Sequence, residues 1–491
     1  MNKIVLVLVA TLLPCLAATA QETFTLASGS ESRTMDAALL HEGRYLGQYE
    51  GLHCWAGGAD GKQKLVVLTD ENLETKASLT LPESSVNCQL ATATMDNGKA
   101  CLTLVDSSYN RMTIIYSSVV DLATMKPADS TAAMTIVDSL SYGSKDRCYV
   151  WGAVSPNGRH AALIYIVEYT ERHQYSARAI LYDAQLHEQW RKDYALGSME
   201  ALCVTDDGTM VTLGYDEEGD ETHFVFNILD QRRTETYDAI VQCNHIRQLK
   251  LAGVTGNKAI AVGTFSPQDR SLWDVLCEGV VTFAFNIDSA NLTGFNMRTF
   301  QNEDLNILLN MKTRRVQKYQ DIDLVSVSGL TTTDWGAVVA VGRNWRLDRT
   351  EDNGTHSIIY HRMGLHLVAI DTTGRVIWVR NLRRNDVQKS NDDLLGLDMT
   401  SRDGITYIVR SEPRRTPPIY DISREGKQLE MGSKSALVIY TLAADGEVKK
   451  NFLAPRTEFS LMRTIARPDG QLLLVGANGR KMKLATLHNN N

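Results

Sequence analysis

An all-β chain, arranged as a β-propeller of about eight four-stranded antiparallel blades and closed by an N-terminal strand, is predicted by three observations. One short phrase recurs along the chain, that phrase is built from β-forming residues around tight Asn/Asp-Gly turns, and the two chain ends each carry an orphan strand.

The phrase is a β-run, a tight turn and a second, strongly apolar β-run. Clear copies run from Ser155-Pro156-Asn157-Gly158 into Ala161–Val167, from Asp206-Asp207-Gly208 into Met210–Gly214, from Arg402-Asp403-Gly404 into Ile405–Val409, and from Pro468-Asp469-Gly470 into Leu472–Gly476. Looser copies turn at Asp96-Asn97-Gly98, Thr255-Gly256-Asn257 and Asp334-Trp335-Gly336. Asn-Gly and Asp-Gly supply the positive φ angles that two-residue hairpins need. Each copy is followed by a second hairpin, as in Leu367–Asp371 with Arg375–Leu382 and Leu437–Leu442 with Glu447–Leu453. The unit is therefore four antiparallel strands, a to d. The turn glycines lie 60, 50, 48, 80, 68 and 66 residues apart, wider than the ~40–50 of simple blades, so the blades carry insertions.

Seven glycine-marked units and an opening one around Cys54-Trp55 make eight; seven is the alternative if 35–61 is irregular. The last unit ends after strand c, Lys481–Leu487. Glu22–Ala27, with Phe24 and Leu26 alternating against Thr23 and Thr25, is expected to supply its missing outer strand and to close the ring. Between blades five and six, Leu305, Leu308, Leu309, Lys312 and Val316 fall at helical spacing behind an Asn302 cap, which predicts a short helix near 302–316.

Residues 1–20 read as a signal peptide. Lys3 precedes an apolar run from Ile4 to Leu16, and Ala18-Thr19-Ala20 places small residues for cleavage before Gln21. Residues 21–491 then form a single propeller domain, exported to the periplasm, the cell surface or the medium. Cys15 raises the alternative of a lipid anchor, against which Pro14 and the Ala-x-Ala site argue. No later segment is long and apolar enough to span a bilayer. With 51 Lys and Arg against 58 Asp and Glu the net charge is −7, which argues against a nucleic-acid binder. Seven cysteines remain beyond Cys15, without a Cys-x-x-Cys pair. Cys88, Cys148, Cys203 and Cys243 fall in expected innermost strands and are read as free, buried thiols.

Ser155-Pro156-Asn157-Gly158 resembles the turn of TolB-type, WD-like propellers. Asp371-Thr372-Thr373-Gly374-Arg375-Val376-Ile377-Trp378 is similar to the blade motif of quinoprotein-type propellers, and Trp190 echoes it. The resemblance implies a secreted bacterial β-propeller architecture in which the tryptophan docks between blades. It implies no specific activity.

The chain carries no Gly-x-Ser-x-Gly elbow, no His-Glu-x-x-His, no phosphate loop and no dinucleotide fingerprint, and nothing in it calls for a cofactor or a metal. His356, His361 and His366, and the acidic stretch Asp216, Glu218, Asp220 and Glu221, read as ordinary surface or packed residues. The long connections 265–279, 300–321, 343–364, 382–393 and 410–434 all belong to blades five to seven and to one face of the disc. There Trp345 stands among Arg343, Arg346 and Arg349, and Arg414, Arg415 and Tyr420 follow in the next connection. Arginine and aromatic side chains carry binding energy. These seven residues are therefore the expected binding site of a non-catalytic propeller whose partner is a protein or a polysaccharide. The alternatives are a carbohydrate-active enzyme (polysaccharide lyase or glycosidase) and an envelope-assembly scaffold.

Overall fold

The computed structural model describes residues 24–28, 43–57, 64–80, 88–108, 111–128, 134–143, 145–169, 174–195, 199–218, 221–241, 246–255, 257–265, 276–308, 322–323, 325–350, 356–389, 397–413, 429–430, 435–455, 460–467, 471–478 and 481–489. The expected signal peptide and Cys243 lie outside them.

Eight antiparallel blades stand in a ring. Their inner strands are Arg44–Tyr49, Gln89–Asp96, Arg147–Val154, Ala201–Val204, Ile246–Thr255, Val325–Thr333, Leu397–Arg402 and Ser460–Ala466, and consecutive inner strands contact one another around the axis. Strands b and c of each blade are the most deeply buried. His160–Tyr169, for example, is buried from Ala161 to Val167. Their apolar faces pack against the neighbouring blades, as where Phe226 of blade four stacks on Phe285 of blade five at 3.9 Å.

Turn chemistry sets the register. Asn97 and Gly98 have φ of 47° and 73°, and Asp403 and Gly404 have 50° and 73°, the pair of positive angles a two-residue hairpin turn requires. Blade one is regular, with strands Arg44–Tyr49, Leu52–Ala56, Lys64–Thr69 and Thr75–Thr80. Its first turn uses Glu50 and Gly51, at φ 49° and 81°, with Glu where five of the other turns carry Asn or Asp before the glycine.

The ring closes between the chain ends. Phe24–Ser28 pairs antiparallel with Lys481–Asn489, from Phe24 opposite Asn489 to Ser28 opposite Ala485. Phe24 and Leu26 pack on the core shared by blades seven and eight, where the Phe24 ring meets Tyr407 edge-on at 6.4 Å. Trp378 docks between blades as its motif implies. It is 7% exposed, and its Nε1 donates to Ala444 O of blade seven at 3.1 Å. A Cβ at Gly446 would lie 2.9 Å from the Trp378 ring, so that turn glycine admits the indole.

The described helix is Asn302–Leu308; the rest of the expected 302–316 falls among 309–321, which lie outside the described residues. Asn302 is its first residue, and the capping falls to the preceding one: Gln301 O accepts from Leu305 N, and the Asp304 carboxylate accepts from Gln301 N.

Six described cysteines are free thiols. Cys54, Cys88, Cys101 and Cys277 are buried, but Cys148 and Cys203 are only half-buried, because an inner strand has the axial channel along its free edge. Burial pushes the Cys54, Cys88 and Cys277 thiols up to about 12, and the thiolate is the reactive form. Native labelling at pH 8 is therefore expected to be slow, with labelling complete in denaturant. Failure to find these thiols in denaturant would contradict the assignment.

Candidate binding surface

Blade six differs from the others in strand length. Its strands b, c and d are Gly336–Thr350, His356–Asp371 and Val376–Lys389, of 15, 16 and 14 residues, whereas no other strand among the described residues exceeds 10. The pairing runs without a break to the tip, with Arg343 opposite Met363 and Thr350 opposite His356, while Ile359 to Met363 face Lys389 to Asn385. The expected connections 343–364 and 382–393 are thus largely a three-stranded antiparallel tongue. Main-chain hydrogen bonding continues there although the segments lack the apolar alternation that marks a strand over a core.

Bulges at Val341/Arg343 and Met363/Leu365 separate tongue from blade and bend the sheet. Gly364 has a φ of 60°, and a Cβ on it would lie 2.6 Å from Ile307 O of the helix. Only glycine lets the helix seat against this bend.

Two buried polar groups brace the root. On the body side, Asp304 Oδ1 lies 3.2 Å from His366 Nδ1 and accepts from Asn381 Nδ2 at 2.8 Å, while Arg298 Nη2 donates to Asp304 Oδ2 at 3.0 Å. Burial works against the Asp304 charge, but the His366 imidazole and the other donors prevail and hold its carboxyl at about 2. On the side facing blade seven, Arg384 Nε donates to Asp386 Oδ2 at 2.7 Å, with both side chains almost fully buried. Beside them Arg410 lies 3.6 Å from Glu412, whose carboxylate also accepts from Tyr440 OH at 2.8 Å and pairs with Lys450. Burial pushes the Tyr440 hydroxyl far up.

Neighbouring insertions are tied in. Leu429–Glu430, from the blade-seven connection, adds a parallel strand to Asp386–Val387 at the tongue's edge. Leu276–Cys277 of blade five pairs with Ile322–Asp323.

Of the expected site residues, Arg343 is half-buried at the root. Trp345, Arg346 and Arg349 follow on the same strand, opposite His361, Tyr360 and Ser357. Arg414, Arg415 and Tyr420 lie outside the described residues. Arg384 and Arg410, within the expected connections 382–393 and 410–434, are buried structural cations.

Two clefts open on the opposite face, among the a–b turns. One of ≈ 560 Å³ lies at the channel mouth, lined by inner-strand and turn residues of blades one, two and three together with Arg467 of blade eight. The other, ≈ 450 Å³, lies between Thr332–Asp334 and Ser401–Gly404. Sequence reasoning passed over both because each is assembled from turns far apart in the chain.

No protein-family model matches the chain, and no curated protein does. Solved structures similar to it include the polysaccharide lyase Uly1 (10% identity, 82% of this chain and 90% of that one, TM-score 0.37). Prolyl oligopeptidase B from Galerina marginata (8%, 93% and 56%, 0.38) and the Dos1 propeller (10%, 82% and 93%, 0.32) are similar at the same level. Likenesses this distant carry no argument about activity.

Proposed function

We propose that this protein is an exported, non-catalytic propeller that engages an acidic partner, polysaccharide or protein, through the blade-six tongue. The observation that carries the reading is segregation of charge on a projecting element. Beyond the bulges the tongue's strands hold Arg343, Arg346, Arg349, Arg362, Arg383, Arg384 and Lys389 against Asp348 and Asp386, and the connection between the first two adds Glu351 and Asp352, in a chain of net charge −7. Arg384 and Asp386 neutralise each other at the root, which leaves six cations to three carboxylates. Complementary charge of this kind steers a partner and orients it.

In native gels containing a polyuronate, the mature protein is expected to be retarded, with no retardation in a neutral glucan. The double variant Trp345→Ala/Arg346→Ala is expected to weaken this binding by about 2–4 kcal/mol if the two residues are hot spots, with an unchanged melting curve. Arg402→Ala, on the turn face, should bind as the parent does. An acidic polypeptide in a parallel gel separates a protein partner from a polysaccharide. Equal losses in both variants, or a loss from Arg402→Ala alone, would place the site on the wrong face.

A further inference from the structure

The outer edge of the tongue points to how a partner is held there, an inference that rests on the reading above. Strand d of blade six, Val376–Lys389, pairs inward with strand c as far as Lys389 opposite Ile359. Along its length the strand is treated in two ways. Toward the blade, guanidiniums take its carbonyls: Arg380 Nη1 donates to Val379 O at 2.8 Å, and Arg410 Nη1 of blade seven donates to Arg383 O at 3.1 Å. A carbonyl bound in this way is a poor partner for an added strand. Farther out the edge accepts one. Leu429 pairs with Asp386 and Glu430 with Val387, in parallel.

Three features suit this stretch to exchange of the strand laid on it. Parallel pairing is slightly weaker per residue than antiparallel pairing, and the strand arrives by a long crossover from Pro413 rather than by a tight hairpin. The bed beneath it is fixed, because the buried Arg384–Asp386 pair at 2.7 Å anchors the main chain at the docking point, and a preorganised edge costs less to bind. The residue it brings to Val387 is a glutamate, and the tongue's strands carry seven cations against two carboxylates.

We propose that the edge at Asp386–Val387 is a strand-docking site, and that the partner is a protein which lays an extended acidic segment along it in place of Leu429–Glu430. Main-chain hydrogen bonds supply affinity in this mode, and the basic tongue selects acidic side chains. A polyuronate has no ladder of N–H and C=O groups to offer the edge.

The test follows the fluorescence anisotropy of a labelled peptide of alternating glutamate and valine, about six residues long like a typical strand, on residues 21–491. The peptide is expected to bind, and a counterpart of equal charge, N-methylated at every amide, is expected to bind at least tenfold more weakly. The variant Val387→Cys/Glu430→Cys ties the resident strand in place, since facing Cα atoms of neighbouring strands lie within disulfide reach. Oxidised, it is expected to lose at least tenfold in affinity for the peptide and to regain it in dithiothreitol, with melting curves verifying the fold. Equal binding of the two peptides, or an oxidised form that binds as the reduced form does, would overturn the proposal and leave the tongue reading in place. Retardation by the polyuronate without binding of the peptide would overturn it in favour of a polysaccharide. Binding of neither probe would overturn the tongue reading and this proposal with it.

Discussion

Replacing Asp386 with alanine is expected to destabilise the protein by about 3–5 kcal/mol, the usual cost of removing one partner from a buried ion pair. Arg384 Nε sits 2.7 Å from the Asp386 carboxylate, and the two side chains are 3% and 2% exposed. The Asp386 charge also acts on Arg410, which is itself buried. Truncating the aspartate removes the attraction while both guanidiniums stay out of water. Replacing the pair together, Arg384→Met with Asp386→Leu, removes the desolvation along with the attraction and is expected to recover most of the loss. Denaturant midpoints measure both. An Asp386→Ala variant as stable as the parent would show that this group does not brace the tongue against blade seven.

Removing the closing strand is the second large effect. A chain beginning at Gly29 loses the pairing of Phe24–Ser28 with Lys481–Asn489 and the burial of Phe24 and Leu26. Full burial is worth roughly 1.5–3 kcal/mol for each large apolar side chain, so these two partly buried ones contribute at most about 3–6 kcal/mol, to which the lost strand pairing adds. The bared edge of Lys481–Asn489 should also recruit other chains, because an unpaired strand is a template for association. Calorimetry and light scattering report the two consequences. A melting curve that coincides with the parent's would contradict closure by this strand.

Much of the frame was legible because its signals are local. An Asn/Asp-Gly pair dictates a hairpin through its own φ angles, and two strands of apolar residues beside it identify a blade. Blade one was the faintest for the same reason, since Glu50-Gly51 makes the turn without the usual first residue. The tongue was read as loops because segments such as Arg343–Thr350 are dense in charged residues. Its strand character comes from pairing with partners found only in the folded chain. The buried groups at its root were invisible for a related reason. Arg384, Asp386, Arg410, Glu412, Tyr440 and Lys450 come from four strands of two blades, and as a string they resemble any exposed charged residues. The channel-mouth cleft draws on four blades, and no one of them carries its chemistry.

Hydrogen exchange of residues 21–491, with and without the polyuronate or acidic polypeptide that retards them, tests the central claim most directly. The tongue strands, 343–350, 356–363 and 383–389, are predicted to gain protection on binding, while the turns at 96–98, 206–208 and 402–404 exchange as before. Unchanged exchange along the tongue in a saturated complex would contradict the account.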